Sequence, residues 1–317
     1  MNWDLDGYYF IMSAKQDTCN TMMMCASCGA AEGDGIKLRT CTACKSVRYC
    51  GVTCQRNHRP EHKEACKKRA AELRDEILFR QPESSHHGDC PICSLPIPLG
   101  QDGSVYHGCC SKQVCTGCVV ANIKRLREER VEHSCPFCRD VTLKGDRNQK
   151  MLNRIQANDP SALSYAGLSL YNKKDYEGAF RYFSKAAALG DALSHTNLSH
   201  MYLEGLGVEK DEKKEVYHLE EAAIKGHPQA RYGLAGYEEG NGRIDRAVKH
   251  LIIAANLGHD CSLKQLKRFY ANGDVSKEDF ASALRAYQAA VNATKSPQRE
   301  AAKQAAKAAV SLSNMTG

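Results

Sequence analysis

Sixteen of the seventeen cysteines in this chain lie between Cys19 and Cys138, mostly in pairs two or three residues apart, and a single one, Cys261, falls in the remaining 179 residues. Thiols spaced in this way either cross-link or share a metal ion. At 317 residues the chain is long enough for about two or three domains of ~150 residues each, which argues against a disulfide-stapled miniprotein. Residues 1–24 do not pair a basic stretch with an apolar one, and no segment approaches the about 18 to 20 apolar residues of a membrane span. The expectation is therefore an intracellular protein, cytoplasmic or nuclear. In such a reducing compartment closely spaced cysteines serve as metal ligands or redox centres.

The cysteines form two ladders separated by a charged, helix-favouring stretch. In the first, Cys25-x2-Cys28, Cys41-x2-Cys44, Cys50-x3-Cys54 and His62-x3-Cys66 supply eight soft or borderline ligands, enough for two tetrahedral zinc sites. The segment has few large apolar residues beyond Ile36, Leu38, Val47 and Tyr49, so it should not fold without metal. Arg48-Tyr49-Cys50-x3-Cys54-Gln55 followed by His62-x3-Cys66 resembles a MYND-type zinc finger, with all eight ligand positions met. The resemblance implies interleaved sites, one of Cys25, Cys28, Cys50 and Cys54, the other of Cys41, Cys44, His62 and Cys66. It also marks a departure: Arg59 stands where the family usually has the tryptophan that shapes a groove for proline-containing peptides.

The second ladder reads Cys90-Pro91-Ile92-Cys93, Cys109-Cys110-x4-Cys115-x2-Cys118 and Cys135-Pro136-Phe137-Cys138. Val119, Val120, Ile123 and Leu126 then fall on one face of a helix. This arrangement resembles a RING finger in which cysteine replaces the usual histidine. The resemblance implies Cys90, Cys93, Cys115 and Cys118 on one zinc and Cys109, Cys110, Cys135 and Cys138 on the other, with His107 as an alternative to Cys109 or Cys110. It further implies that Ile92, Pro136 and Arg139 contact a ubiquitin-conjugating enzyme, so that the protein acts by orienting a charged thioester and not through a nucleophile of its own.

Between the ladders, Ala65, Ala70, Leu73, Ile77 and Leu78 recur at three-to-four-residue intervals, which predicts a spacer helix beginning inside the first module and breaking at Gln81-Pro82. His86-His87, beside Ser-Ser and Gly, are expected in a solvated linker. From Asn158 onward the chain repeats itself. Gly190, Gly226 and Gly258 are separated by 36 and 32 residues, and Asn158 lies 32 before the first. Four residues after each anchor stand Ala162, Ser194, Ala230 and Ser262; eight after stand Ala166, Leu198, Leu234 and Leu266. Periods of about 30 to 40 with paired helices indicate an α-solenoid. The Ala-x-x-Gly-His/Asp endings and the Tyr202-x-x-Gly205-x-Gly207 turn resemble Sel-one-like repeats, relatives of tetratricopeptide repeats.

The fold class that follows is small zinc-stabilised, cross-braced N-terminal modules leading into an all-α solenoid of helix-pair repeats. The expected order is a flexible N-terminus at 1–24, a MYND-type finger at 25–66, a helical spacer and linker at 67–89 and a RING-type finger at 90–139. A linker at 140–157, repeats at 158–293 and a C-terminal helix or tail at 294–317 complete it. Cys261 reads as a small core residue, Met22-Met23-Met24 as part of the flexible start, and Lys124 to Arg130 as a solvated helix face. The cofactor expected is zinc, four ions per chain. The formal charge of +7 counts every thiol as neutral. With fifteen bound thiolates and four zinc ions it falls to about zero, which favours protein partners over nucleic acid. Two function classes follow: a RING-type ubiquitin-protein ligase that binds a conjugating enzyme through the ring and substrates or adaptors through the repeats, or a noncatalytic adaptor. Lysine methyltransfer ranks below both, because no Gly-rich or Asn-His cofactor segment adjoins the first ladder.

Overall fold

The computed structural model describes residues 24–33, 35–100, 103–141 and 144–315. Most of residues 1–24, with Cys19, Met22 and Met23, therefore lie outside the described residues. The chain divides into two compact units, Met1–Leu78 and Phe79–Gly317.

The first unit is built on its ligands. Strands β1 (Arg39–Thr40) and β2 (Arg48–Tyr49) pair antiparallel and are followed by helix α1 (Val52–Leu78). The spacer helix thus begins inside the first module, with Pro60 in its interior. Cys54, His62 and Cys66 ride on α1, where an i, i+4 spacing places His62 and Cys66 on one face. The core is Cys25, Leu38, Cys41, Cys44 and Tyr49. Most of it is sulfur, as expected of a segment too short to bury an apolar core. Arg59 is exposed.

The second unit opens with the second cysteine module: hairpin β3 (Ser104–His107) and β4 (Lys112–Cys115), then helix α2 (Thr116–Glu128). Lys124 and Arg125 on α2 pair with Glu128 and Glu129 one turn on. The segment expected as a linker contains helix α3 (Lys144–Gln156). Four helix pairs follow: α4 (Pro160–Asn172) with α5 (Tyr176–Ala188), α6 (Ala192–Glu204) with α7 (Glu212–Ile224), α8 (Pro228–Gly240) with α9 (Ile244–Asn256), and α10 (Asp260–Ala271) with α11 (Lys277–Ala293). Helix α12 (Pro297–Met315) closes the chain.

The repeat frame has a backbone cause. All four anchors, Asn158, Gly190, Gly226 and Gly258, take positive φ, the left-handed turn that ends one helix and redirects the chain into the next. The positions four residues on, Ala162, Ser194, Ala230 and Ser262, are fully buried, because only small side chains fit where helices touch. Asp159 and Asp191 cap α4 and α6 through a side-chain oxygen, and His227 and His259 do the same for α8 and α10 through a ring nitrogen. Cys261 is exposed, contrary to the expectation of a core position: on α10 it is Ser262 and Leu266 that face inward. No helix among the described residues is long and apolar enough to cross a membrane.

Residues 79–88 do not form a solvated linker; they are a strap bound to the repeats. The Phe79 ring lies 4.7 Å from that of His250, with the Arg246 guanidinium 4.8 Å away. Arg231 donates to the Arg80 carbonyl at 3.3 Å, and the His86 amide donates to the Gly226 carbonyl at 3.0 Å. A Cβ on Gly226 would lie 2.6 Å from the Ser84 carbonyl oxygen, so the missing side chain is what admits the strap. The His86 ring lies between those of His87 and His227, 3.9 Å from each and tilted to them by 38° and 31°.

Candidate metal centres

Four quartets of ligand atoms converge, each with all its atoms within 4.8 Å of one another: Cys25, Cys28, Cys50 and Cys54; Cys41, Cys44, His62 and Cys66; Cys90, Cys93, Cys115 and Cys118; Cys109, Cys110, Cys135 and Cys138. The backbone that brings them together is the same in each Cys-x2-Cys turn at Cys25, Cys41, Cys90 and Cys135. The residue after the second cysteine, Gly29, Lys45, Ser94 or Arg139, has positive φ. Its amide donates to the carbonyl of the first cysteine at 2.9, 3.1, 2.8 and 2.9 Å respectively. Three of these four left-handed residues carry side chains, which costs each of them conformational energy and shows that the turn is held by its surroundings.

The spacings suit a tetrahedral zinc ion. Zinc–sulfur bonds of about 2.3 Å put the sulfurs at about 3.8 Å from one another. The pairs Cys28–Cys50, Cys41–Cys66, Cys93–Cys115, Cys109–Cys138 and Cys110–Cys135 stand at 3.6, 3.8, 3.8, 3.5 and 3.8 Å. His62 Nε2 is 3.3 Å from Cys44 Sγ. A disulfide needs about 2.05 Å.

Electrostatics points the same way. Burial disfavours a Cys25 thiolate, but the amides of Cys50, Cys28 and Ser27 outweigh it and hold the thiol down at about 6. Burial likewise opposes charge at Cys90, where the amides of Cys115, Cys93 and Ile92 bring it down to about 7. Cys41 is held at about 6, with the Cys44 amide and the His62 ring overcoming burial. Neighbouring sulfurs then move up. Hydrogen bonds with Cys54 and Cys28 push Cys50 to about 12, while burial and then Cys41 and Cys44 push Cys66 to about 11. In each cluster backbone amides favour one thiolate, that of Cys25, Cys41, Cys90 or Cys135, and at least one neighbouring sulfur, Cys50, Cys66, Cys118 or Cys110, is pushed up, the crowding of negative charge that a divalent cation offsets. The four clusters could each hold a zinc ion, and bound zinc would supply structural cross-linking.

Outside the ligand sets, the Tyr49 hydroxyl and His58 Nδ1 are 3.1 Å apart, and the His58 ring stacks on His62 at 5.5 Å between centroids. In the second module the two adjacent cysteines and His107 take different places. Cys109 and Cys110 both enter the fourth quartet, while His107 closes the hairpin through its carbonyl, which accepts from the Cys110 amide at 3.2 Å. Ser111 supplies the positive φ that lets two adjacent cysteines turn toward one ion. Ile92, Phe137 and Arg139 are exposed and Pro136 half-buried. The four left-handed turns and the stacked His58 are not visible in the sequence, because a positive φ at a residue other than glycine leaves no mark there.

Fold and sites together define a zinc-finger protein with a solenoid of helical repeats, an architecture for protein–protein interaction. A family model for the MYND finger matches residues 25–66, and one for the Sel1 repeat matches residues 163–191, 192–227 and 228–259. The second cysteine module lies outside both. No curated protein matches the chain. Among solved structures, a Sel1 repeat protein from Oxalobacter formigenes is similar at 26% identity and a TM-score of 0.36, over 38% of this chain and 97% of its own. So is c5321, a protective antigen of uropathogenic Escherichia coli strains displaying an SLR fold, at 20% identity and a TM-score of 0.40. That similarity spans 54% of this chain and 37% of the antigen.

Proposed function

We propose that the chain is a zinc-dependent adaptor that joins proteins through its repeats and its two cysteine modules. The observation that carries this reading is that each metal cluster already has four protein ligands. A zinc site closed in this way is structural, since catalytic sites keep a position open for water or substrate. The exposed apolar side chains Leu189, Leu203, Tyr217 and Tyr270 on the solenoid supply contact area for a partner. The paired thiols suit a reducing compartment, cytoplasm or nucleus. The test is binding of candidate partners to the full-length zinc-loaded protein. Leu203→Asp and Tyr217→Asp should abolish binding while zinc stays at four per chain, and binding that survives both would remove the repeats from the reading.

A second reading adds ubiquitin-protein ligase activity. It is favoured by the exposed Ile92 between its two ligands, with Pro136 and Arg139 in the matching turn of the other site, the positions a ring uses to hold a ubiquitin-conjugating enzyme. Ubiquitin chains built with activating and conjugating enzymes, and suppressed by Ile92→Ala or Arg139→Ala at full zinc content, would favour the ligase. Silence across a panel of conjugating enzymes would leave the adaptor. Residue 139 must be substituted with care, because its positive φ means that Arg139→Gly also relieves backbone strain.

A further inference from the structure

The second cysteine module is not closed by its own residues. Helix α12, which follows the last repeat, packs along α2, and from its first turn Arg299 reaches into the loop that carries Cys93. The arginine is 4% exposed. Its Nη2 donates to Cys93 Sγ at 3.4 Å and to the Leu95 carbonyl at 3.1 Å, and its Nη1 donates to the Pro96 carbonyl at 2.6 Å and to the Thr294 carbonyl at 2.7 Å. The approach depends on Gly117 of α2, where a Cβ would lie 2.7 Å from Arg299 Cγ, 2.9 Å from its amide nitrogen and 3.0 Å from its Cα. The Ser296 hydroxyl accepts from the Arg299 amide at 3.3 Å and starts the helix there.

We propose that Arg299 is a positioning residue for the zinc site of Cys90, Cys93, Cys115 and Cys118, so that metal retention in the second module depends on the helix that ends the solenoid. The chemistry supports an arginine in this place. A zinc ion with four thiolates carries a net charge of −2, and a hydrogen-bond donor to a ligating sulfur offsets part of it. A guanidinium tolerates burial better than an ammonium and has a rigid fork of donors, enough to hold one sulfur and three carbonyls together. Among the described residues no carboxylate pairs with Arg299, so the thiolate cluster is the negative charge it meets. This inference goes beyond the adaptor reading and holds whether or not the module binds a conjugating enzyme.

The test uses the full chain loaded with zinc: wild type, Arg299→Met, Arg299→Lys and Gly117→Ala. Zinc is counted, its transfer to a competing chelator is timed, and the near-ultraviolet sulfur-to-metal bands are recorded after cobalt replaces zinc. Loss of an outer hydrogen bond to a metal ligand typically weakens metal binding about 10- to 100-fold. One zinc of four should therefore leave about 10- to 100-fold faster from Arg299→Met, with the other three at wild-type rates. The cobalt band should shift, which loosened packing alone would not cause. Arg299→Lys should fall between, and Gly117→Ala should shift the same ion, because its Cβ would displace Arg299 although residue 117 is itself no ligand. Wild-type release with an unshifted band in the folded variants would overturn the proposal, as would equal acceleration of all four ions. A wild-type count below four would instead strike the zinc assignment itself. Should Arg299→Met fail to fold, Gly117→Ala and Arg299→Lys decide.

Discussion

Gly207 offers a sharp test of how the solenoid is held. It sits in the turn between α6 and α7 with φ +68°, and a Cβ there would lie 2.7 Å from the Tyr176 carbonyl carbon and 2.9 Å from the Glu177 amide nitrogen. Both are backbone atoms and cannot rotate away. Gly207→Ala therefore carries two costs: about 1 kcal/mol or more for a left-handed alanine and about 1 to 3 kcal/mol for forcing atoms into a filled space. A total near 3 kcal/mol should lower the melting temperature of a unit this size by about 6 to 12 °C. Gly236 makes the control. It lies exposed in α8 at a helical φ, and nothing stands within 4 Å of its missing Cβ, so Gly236→Ala should raise stability by about 0.5 to 1 kcal/mol. Thermal unfolding followed by helical circular dichroism, at fixed excess zinc, reads both. A Gly207→Ala protein melting within a degree of wild type, or a Gly236→Ala protein losing as much, would refute the reasoning.

Three further outcomes are expected. The hydroxyls of Ser194 and Ser164, each almost fully buried, are 3.0 Å apart; Ser194→Ala leaves its partner unpaired and should cost about 1 to 3 kcal/mol, while the double alanine variant should recover part of that, and a double variant as weak as the sum of the singles would contradict this. Chelation should abolish amide-exchange protection at Cys25, Cys41 and Tyr49 while the repeats keep their helical signal; protection that persists without metal would mean the finger has a core of its own. Burial, and then the charges of Arg231 and Arg246, hold His250 down at about 3, so the unfolded chain binds the proton more readily and stability is complete above about pH 6.5. At pH 5 this one ring should have removed about 2 kcal/mol, and His250→Leu should have a flatter denaturant midpoint between pH 7.5 and 5 than wild type. The two proteins share any acid loss of zinc, so equal slopes would discount the histidine.

Much of this fold is local and therefore legible. The four anchors are readable because a left-handed turn selects glycine or asparagine, and the small residues four positions later because helix contact selects against bulk. Ligand spacing is readable because two sulfurs separated by two residues can reach one ion. What escaped detection depends on partners far away in the chain. His86 looks like part of a loose linker until Gly226 and His227, some 140 residues later, supply a gap and a ring to pack against. Arg299 looks like one cation of a terminal helix until Cys93 lies beneath it, 206 residues earlier. Cys261 lies outside the core for a subtler reason, since one residue along a helix turns a side chain by about 100°, enough to move it from the seam to solvent.

Stacks of helical repeats are open-ended: units can be gained or lost because each touches only its neighbours. This one is gripped at both ends by a single small module. Before the first repeat, Arg154 of α3 donates to the Cys109 carbonyl at 2.9 Å, and after the last, Arg299 donates to Cys93 Sγ at 3.4 Å. A chain that gained or lost one helix pair could keep one of these grips and would forfeit the other. The cysteine module thus ties the two ends of the stack to one another, which a solenoid without such a module does not do.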